Sequence, residues 1–180
     1  MKTIQVPVRE QVSADSQIIF DQYQKRMGKV PNLYATMGYS ANALKGFVDL
    51  ESDLNKGVFS GKEREAIALI VSEVNGCAYC LAGHTLAAIK HGFTKEETLD
   101  LRRGHTNDAR LNAILKLAKS VTVNQGHADQ EALDDFYAAG FDETAIMDLI
   151  GLVIVRIFTN YVYALTDIPV DFPLAEPLNY

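Results

Sequence analysis

Both cysteines of the chain lie in one short segment, Cys77-Ala-Tyr-Cys80, and a histidine follows at His84. A Cys-x-x-Cys pair can cycle between two thiols and a disulfide, and a histidine one turn on can accept or relay a proton. On a helix these positions are i, i+3 and i+7, so the three side chains share one face. Asn75-Gly76 breaks the chain just before them. Cys77 is therefore expected in the first turn of the next helix, where unpaired backbone N–H groups favour an anion. By that argument Cys77 is the more acidic thiol. Residues three apart on a helix hold their Cβ atoms about 5–6 Å apart, whereas a disulfide needs roughly 3.5–4.5 Å. Closure is expected to distort the first turn, which marks a labile, catalytic pair. Glu65, on the preceding helix, can orient His84 or share its proton through a water. Glu73, four residues before Cys77, is a candidate pocket-lining residue, as is Asn160, a polar residue in an apolar helix. The same residues have plainer readings. Paired cysteines can be inert small hydrophobes, and Cys77, Cys80, His84 and a carboxylate could hold zinc, although no second Cys/His pair exists.

The elements that must position this group read as helices throughout. All five prolines lie at residue 31 or earlier, or at residue 169 or later, so nothing between forbids helix. A first helix carries Ile18, Ile19, Phe20, Tyr23 and Met27 and stops at Gly28. Ser40 caps a second, running towards Gly57. Ser60 with Glu63 is a capping box opening a third, which carries Ile67, Ile70 and Val71 and ends at Asn75-Gly76. A fourth starts at Cys77 and stops near His91-Gly92. Thr94 with Glu97 is a second capping box for a short fifth. A sixth spans about 108–123, a seventh about 129–139, and Asp142 caps a long eighth reaching Leu165. The prediction is a single compact all-α domain of about eight helices over residues 1–180, with an extended tail at 168–180. Its expected core draws on Leu69, Ile70, Leu86, Ile114, Leu117, Leu149, Val153 and Ile157.

Composition narrows the function. The 180 residues carry a net charge of −6, which disfavours nucleic-acid binding through a basic surface. Two cysteines exclude a disulfide-rich secreted scaffold. Residues 1–17 have no apolar run flanked by positive charge, so no secretory signal is expected there. The apolar stretch 144–165 is interrupted by Asp148, Arg156 and Asn160, which suits a buried core helix better than a membrane span. The expected setting is the cytoplasm. Arg156 is expected to pair with Asp148 or to reach a neighbouring subunit. The apolar final helix needs cover, so a homo-oligomer is expected, as a dimer, a trimer or a hexamer built as a dimer of trimers.

The spacing Glu65-x11-Cys77-x2-Cys80-x3-His84 resembles the alkylhydroperoxidase D-like family, within the wider carboxymuconolactone decarboxylase superfamily. Flanking text agrees: Gly28-Lys-Val-Pro-Asn, Gly57 before the Glu65 helix, Arg64-Glu65, Asn75-Gly76-Cys77 and Gly92-Phe93. The long helix with Asn160 is similar to that of the peroxidase-related branch, and the resemblance covers about residues 15–170. It implies an all-α oligomer and a thiol-dependent peroxidase using no haem, flavin or metal. Carried over by position, Cys80 attacks the hydroperoxide and becomes a sulfenic acid, and Cys77 condenses with it to a disulfide. His84 and Glu65 form the proton relay, and a partner dithiol, a thioredoxin-like or lipoyl-type protein, reduces the disulfide. The family role of Cys80 and the helix-end argument for Cys77 point to different sulfurs. Tyr79 stands where some members have a histidine, which puts the strength of the relay in question. The alternatives are a redox sensor or disulfide-exchange protein with little turnover, and a structural zinc module.

Overall fold

The computed structural model describes residues 4–178. The terminal residues 1–3 and 179–180 of the expected domain and tail lie outside the described residues. Regular structure among the described residues is helical, with no strand. A short 3-10 turn at Arg9–Gln11 precedes nine helices. They are α1 (Ala14–Met27), α2 (Asn32–Met37), α3 (Ala41–Leu54), α4 (Gly61–Val74), α5 (Ala78–Lys90), α6 (Lys95–Arg103), α7 (Ala109–Val123), α8 (Gln130–Ala138) and α9 (Glu143–Thr166).

The boundaries follow local chemistry. Ser60 Oγ accepts from the Glu63 N–H at 3.3 Å, while Glu63 Oε2 accepts from the Ser60 N–H at 2.8 Å. This reciprocal bonding satisfies two orphan donors and starts α4. Thr94 and Glu97 do the same for α6, at 3.1 and 2.7 Å. Asp142 accepts from the Ala145 N–H at 3.0 Å and opens α9. Helix α2 is the element sequence patterning overlooks. Its six residues between Pro31 and Gly38 are too few to display a 3.6-residue period.

The buried apolar residues form two clusters. One gathers Ile67, Leu69 and Ile70 of α4, Ile114 and Leu117 of α7, and Leu149, Leu152 and Val153 of α9. The other gathers Phe20 and Tyr23 of α1, Leu33 and Met37 of α2, and Leu44 and Phe47 of α3 around Tyr79 and the two cysteines. Six of the eight expected core residues are buried. Leu86 and Ile157 are only half-buried, and Leu86 turns out to line a cavity. Helix α9 is long and apolar enough to cross a bilayer by length and composition. One of its faces packs into the domain, burying Leu149, Leu152, Val153, Arg156, Thr159 and Asn160. After it, residues 168–178 run without helix, apart from a bend at Phe172.

Candidate active site

The turn between α4 and α5 places the cysteines. The Cys77 N–H bonds to the Ser72 carbonyl at 2.9 Å, and the Gly76 N–H to the Glu73 carbonyl at 3.0 Å. These paired bonds close α4 in a Schellman motif, whose left-handed position is filled by Gly76 at φ +63°. Asn160 of α9 clamps the turn from behind. Asn75 Nδ2 donates to Asn160 Oδ1 at 2.8 Å, and Asn160 Nδ2 donates to Ser72 Oγ at 3.3 Å.

The turn delivers Cys77 as the N-cap of α5 rather than within its first turn, with φ −84° and ψ 92°. Its Sγ accepts from the Cys80 N–H at 3.2 Å. Cys77 and Cys80 are joined in a disulfide with Cα atoms 5.3 Å apart, inside the ordinary range. The departure expected from a regular first turn is taken up at Cys77. Cys77 has extended backbone and lies outside the helix it starts, so the helical Cβ spacing never applies.

Both cysteines are buried, yet they differ in access. Cys80 lines a cavity of about 350 Å³, and Cys77 is not among its lining residues. The cavity sits at the seam of the two apolar clusters, with Ile67 and Leu152 from one and Leu33 and Tyr79 from the other. Glu65 and His84 line it too, so three of the four residues of the sequence motif share one chamber.

A chain of four polar groups runs along its wall. His84 Nδ1 lies 2.7 Å from Glu65 Oε2, and Arg156 Nη1 lies 2.9 Å from His84 Nε2. Arg156 Nη2 donates to Glu51 Oε1. A guanidinium only donates, so Nε2 must accept with its lone pair. The proton of the imidazole then sits on Nδ1 and is donated to Glu65. This pattern assigns the Nδ1–H tautomer from hydrogen bonding alone. Burial pushes the Glu65 carboxyl up, but His84 and Arg156 beside it outweigh burial and hold it below its ordinary value. Thr159 Oγ1 lies 3.9 Å from Cys80 Sγ. The Thr159 hydroxyl donates to the Arg156 carbonyl at 2.8 Å.

Tyr79 also lines the cavity, and its hydroxyl is fully engaged. That hydroxyl donates to Asp171 Oδ1 and accepts from the Leu33 N–H at 3.2 Å. Burial and the bond to Asp171 raise the phenol pKa, so it stays neutral. Asp171 also receives Lys29 Nζ at 2.8 Å, and Phe172 meets Tyr79 edge-on with ring centroids 5.7 Å apart. Tyr79 thus pins the C-terminal segment over the cysteine turn.

Other expected residues lie elsewhere. Glu73 is not in the cavity lining; it accepts from Arg102 Nε at 2.7 Å in a buried pair. Asn160 is not in the lining either, because its amide is spent on the turn. Arg156 pairs with Glu51 and His84 instead of Asp148. Asp148 accepts the Val58 N–H at 2.8 Å, so it holds a loop. His91 ends α5, and His105 and His127 are exposed. The donors assembled for zinc are engaged otherwise: both sulfurs in the disulfide, both His84 nitrogens with Glu65 and Arg156. Among the described residues no cluster of three or more His, Cys, Asp or Glu is placed to hold a metal ion. Sequence reasoning overlooked Glu51, Thr159 and Asp171, which carry no motif signal. Arg156 was visible as a charge in an apolar helix, but its partners are distant in sequence.

Residues 41–122 match the carboxymuconolactone decarboxylase family. Over 113 residues the chain is 26% identical to the uncharacterized protein YdfG of Bacillus subtilis (strain 168), covering 61% of this chain and 77% of that protein. Among solved structures it is similar to an uncharacterized peroxidase-related protein of Ralstonia eutropha JMP134, described as an alkylhydroperoxidase AhpD core. The TM-score is 0.83 at 18% identity, over 95% of this chain and 94% of that one. The debrominase Bmp8 aligns with a TM-score of 0.79 at 20% identity, over 95% and 93% of the two chains. A variant of that debrominase is also known in complex with 2,3,4-tribromopyrrole. At these identities the structural likeness shows the fold.

Proposed function

We propose that this chain, an AhpD-like member of the carboxymuconolactone decarboxylase superfamily, is a cysteine-based peroxidase that reduces hydroperoxides with electrons from a dithiol. The observation that carries the reading is the asymmetry of the pair: Cys80 lines a chamber shared with Glu65 and His84, and Cys77 does not. This favours Cys80 as the attacking sulfur over the argument from helix-end acidity. At an N-cap, Cys77 spends its sulfur accepting the Cys80 N–H.

The Cys80 thiol gives its proton to the His84–Glu65 pair, directly or through a water in the cavity: to the Glu65 carboxylate, or to His84 Nε2 once Arg156 releases it. The thiolate attacks one peroxide oxygen, the O–O bond breaks, and the leaving alkoxide takes a proton to become an alcohol. Cys80 is then a sulfenic acid. The Cys77 thiol attacks it, the disulfide forms and water leaves. A partner dithiol, thioredoxin-like or lipoyl-type, restores both thiols and is itself oxidised. Thr159 can turn its hydroxyl to donate to the thiolate. No cofactor or metal enters this cycle. The proposed setting is the cytoplasm, where reducing dithiols are maintained.

The test is hydroperoxide consumption by the reduced protein with excess dithiothreitol, beside Cys80→Ser. Many turnovers lost in the variant support the peroxidase. One equivalent consumed, ending in the Cys77–Cys80 disulfide, favours a redox sensor, a reading to which the burial of both sulfurs lends weight. No consumption with both thiols free overturns both. A halopyrrole offered in the same assay separates peroxide chemistry from the dehalogenation named for the structural neighbour.

A further inference from the structure

Resting on the peroxidase reading, we infer that the substrate is an amphipathic organic hydroperoxide with an anionic group. Its apolar body would occupy the cavity and its charge would lie at the mouth between Arg26 and Lys90. The chamber beside Cys80 is walled by Leu33, Ile67, Ala68, Leu86, Leu152 and Phe172. Its volume of about 350 Å³ suits a small organic molecule rather than hydrogen peroxide. The charged groups sort by depth. The two carboxylates of the lining, Glu51 and Glu65, are half-buried and already partnered, by Arg156 and His84. The exposed residues of the lining are Arg26, Met27, Asn55 and Lys90, so every charge at the mouth is positive.

Neither mouth cation is neutralised by a carboxylate. Arg26 lies over the Tyr23 ring at 4.6 Å, and the Lys90 side chain has no hydrogen bond or ion pair among the described residues. Between mouth and wall, Arg64 gives an N–H to the Phe59 carbonyl at 2.5 Å and has no carboxylate partner among the described residues. Four cations against two carboxylates leave the lining at +2, in a chain whose net charge is −6. A low-dielectric cleft with one sign of charge at its entrance concentrates ligands of the opposite sign. An apolar chamber under that entrance selects those with a hydrocarbon body.

The experiment compares matched pairs: para-carboxylated cumene hydroperoxide against cumene hydroperoxide, and a fatty-acid hydroperoxide against its methyl ester. Dithiothreitol is the reductant. Two exposed ion pairs predict a preference for the acid of about three- to tenfold in kcat/KM, carried by KM. The preference should shrink towards one at high salt and in the double variant Arg26→Gln/Lys90→Gln. A ratio of one in the parent protein, or a preference the double variant leaves intact, overturns the inference. If no hydroperoxide is turned over, the peroxidase reading fails, and calorimetric titration with unreactive decanoate and decanol decides the cavity separately. Decanoate binding tighter than decanol, and losing its advantage in the double variant, keeps the anionic site; equal binding or none removes it.

Discussion

Replacing Arg156 with methionine keeps an apolar stem but removes the guanidinium that bridges Glu51 and His84. The side chains of Arg156 and Glu51 are 7% and 20% exposed, so the pair is largely dry. Breaking a buried pair by removing one partner costs about 3–5 kcal/mol. Glu51 keeps some water, which places its share near the lower figure, and the lost bond to His84 adds about 1 kcal/mol. The expected loss is therefore about 3–4 kcal/mol. A domain with a typical reserve of about 5–15 kcal/mol remains folded. Urea unfolding of parent, Arg156→Met, Glu51→Gln and the double variant measures it. The double variant leaves no uncompensated charge, so a coupling of about 1–3 kcal/mol is expected. Nitrogen-15 NMR of the imidazole supplies a second readout. The parent should show the Nδ1–H tautomer, and Arg156→Met should free Nε2 to carry the proton. A loss below about 1 kcal/mol with the tautomer unchanged would refute the bridge.

Glu65→Gln tests pH linkage. The folded carboxyl lies below its ordinary value of 4.5, so its contribution is fully present above that pH and is lost as pH falls through the lower folded value. Stability curves of parent and variant should converge in acid; parallel curves would contradict the pairing with His84. Gly76→Ala meets no neighbouring atom but must hold φ +63°, so it should cost about 1 kcal/mol, or roughly 2–4 °C in Tm. An unchanged Tm would argue against the left-handed turn. Tyr79→Phe removes the donor to Asp171 while keeping the ring, and limited proteolysis within 168–178 should quicken. Unaltered cleavage would remove Tyr79 as the anchor of that segment. Helix α9 exposes Met147, Ile150, Ile154, Phe158, Tyr161 and Leu165 at helical spacing, and a second copy of the chain is the expected cover. Light scattering should report more than one protomer, and Ile154→Glu should shift it to a monomer; a monomeric parent at micromolar concentration would exclude this.

Much of the fold was legible because helix ends are written locally. Ser60–Glu63, Thr94–Glu97, Asp142 and Gly28 each mark a boundary within a few residues of its hydrogen bonds. The cysteine pair, His84 and the Glu65 helix were legible for the same reason, since types and spacing along one chain segment nominate the chemistry. Helix α2 was not, because six residues carry too little periodicity. The sequence alone determined an all-helical chain with a Cys-x-x-Cys redox candidate at a helix start. Only the tertiary structure decided which sulfur faces the chamber and which residues hold the histidine. Cys77 and Cys80 are three residues apart, yet their access depends on α2, α4 and α9 packed around them. Glu51, Arg156 and His84 lie on α3, α9 and α5, and no local pattern relates them. Spacing along the chain constrains neighbours within a turn or two, whereas the charges that set a proton's place are brought together by burial of distant apolar faces.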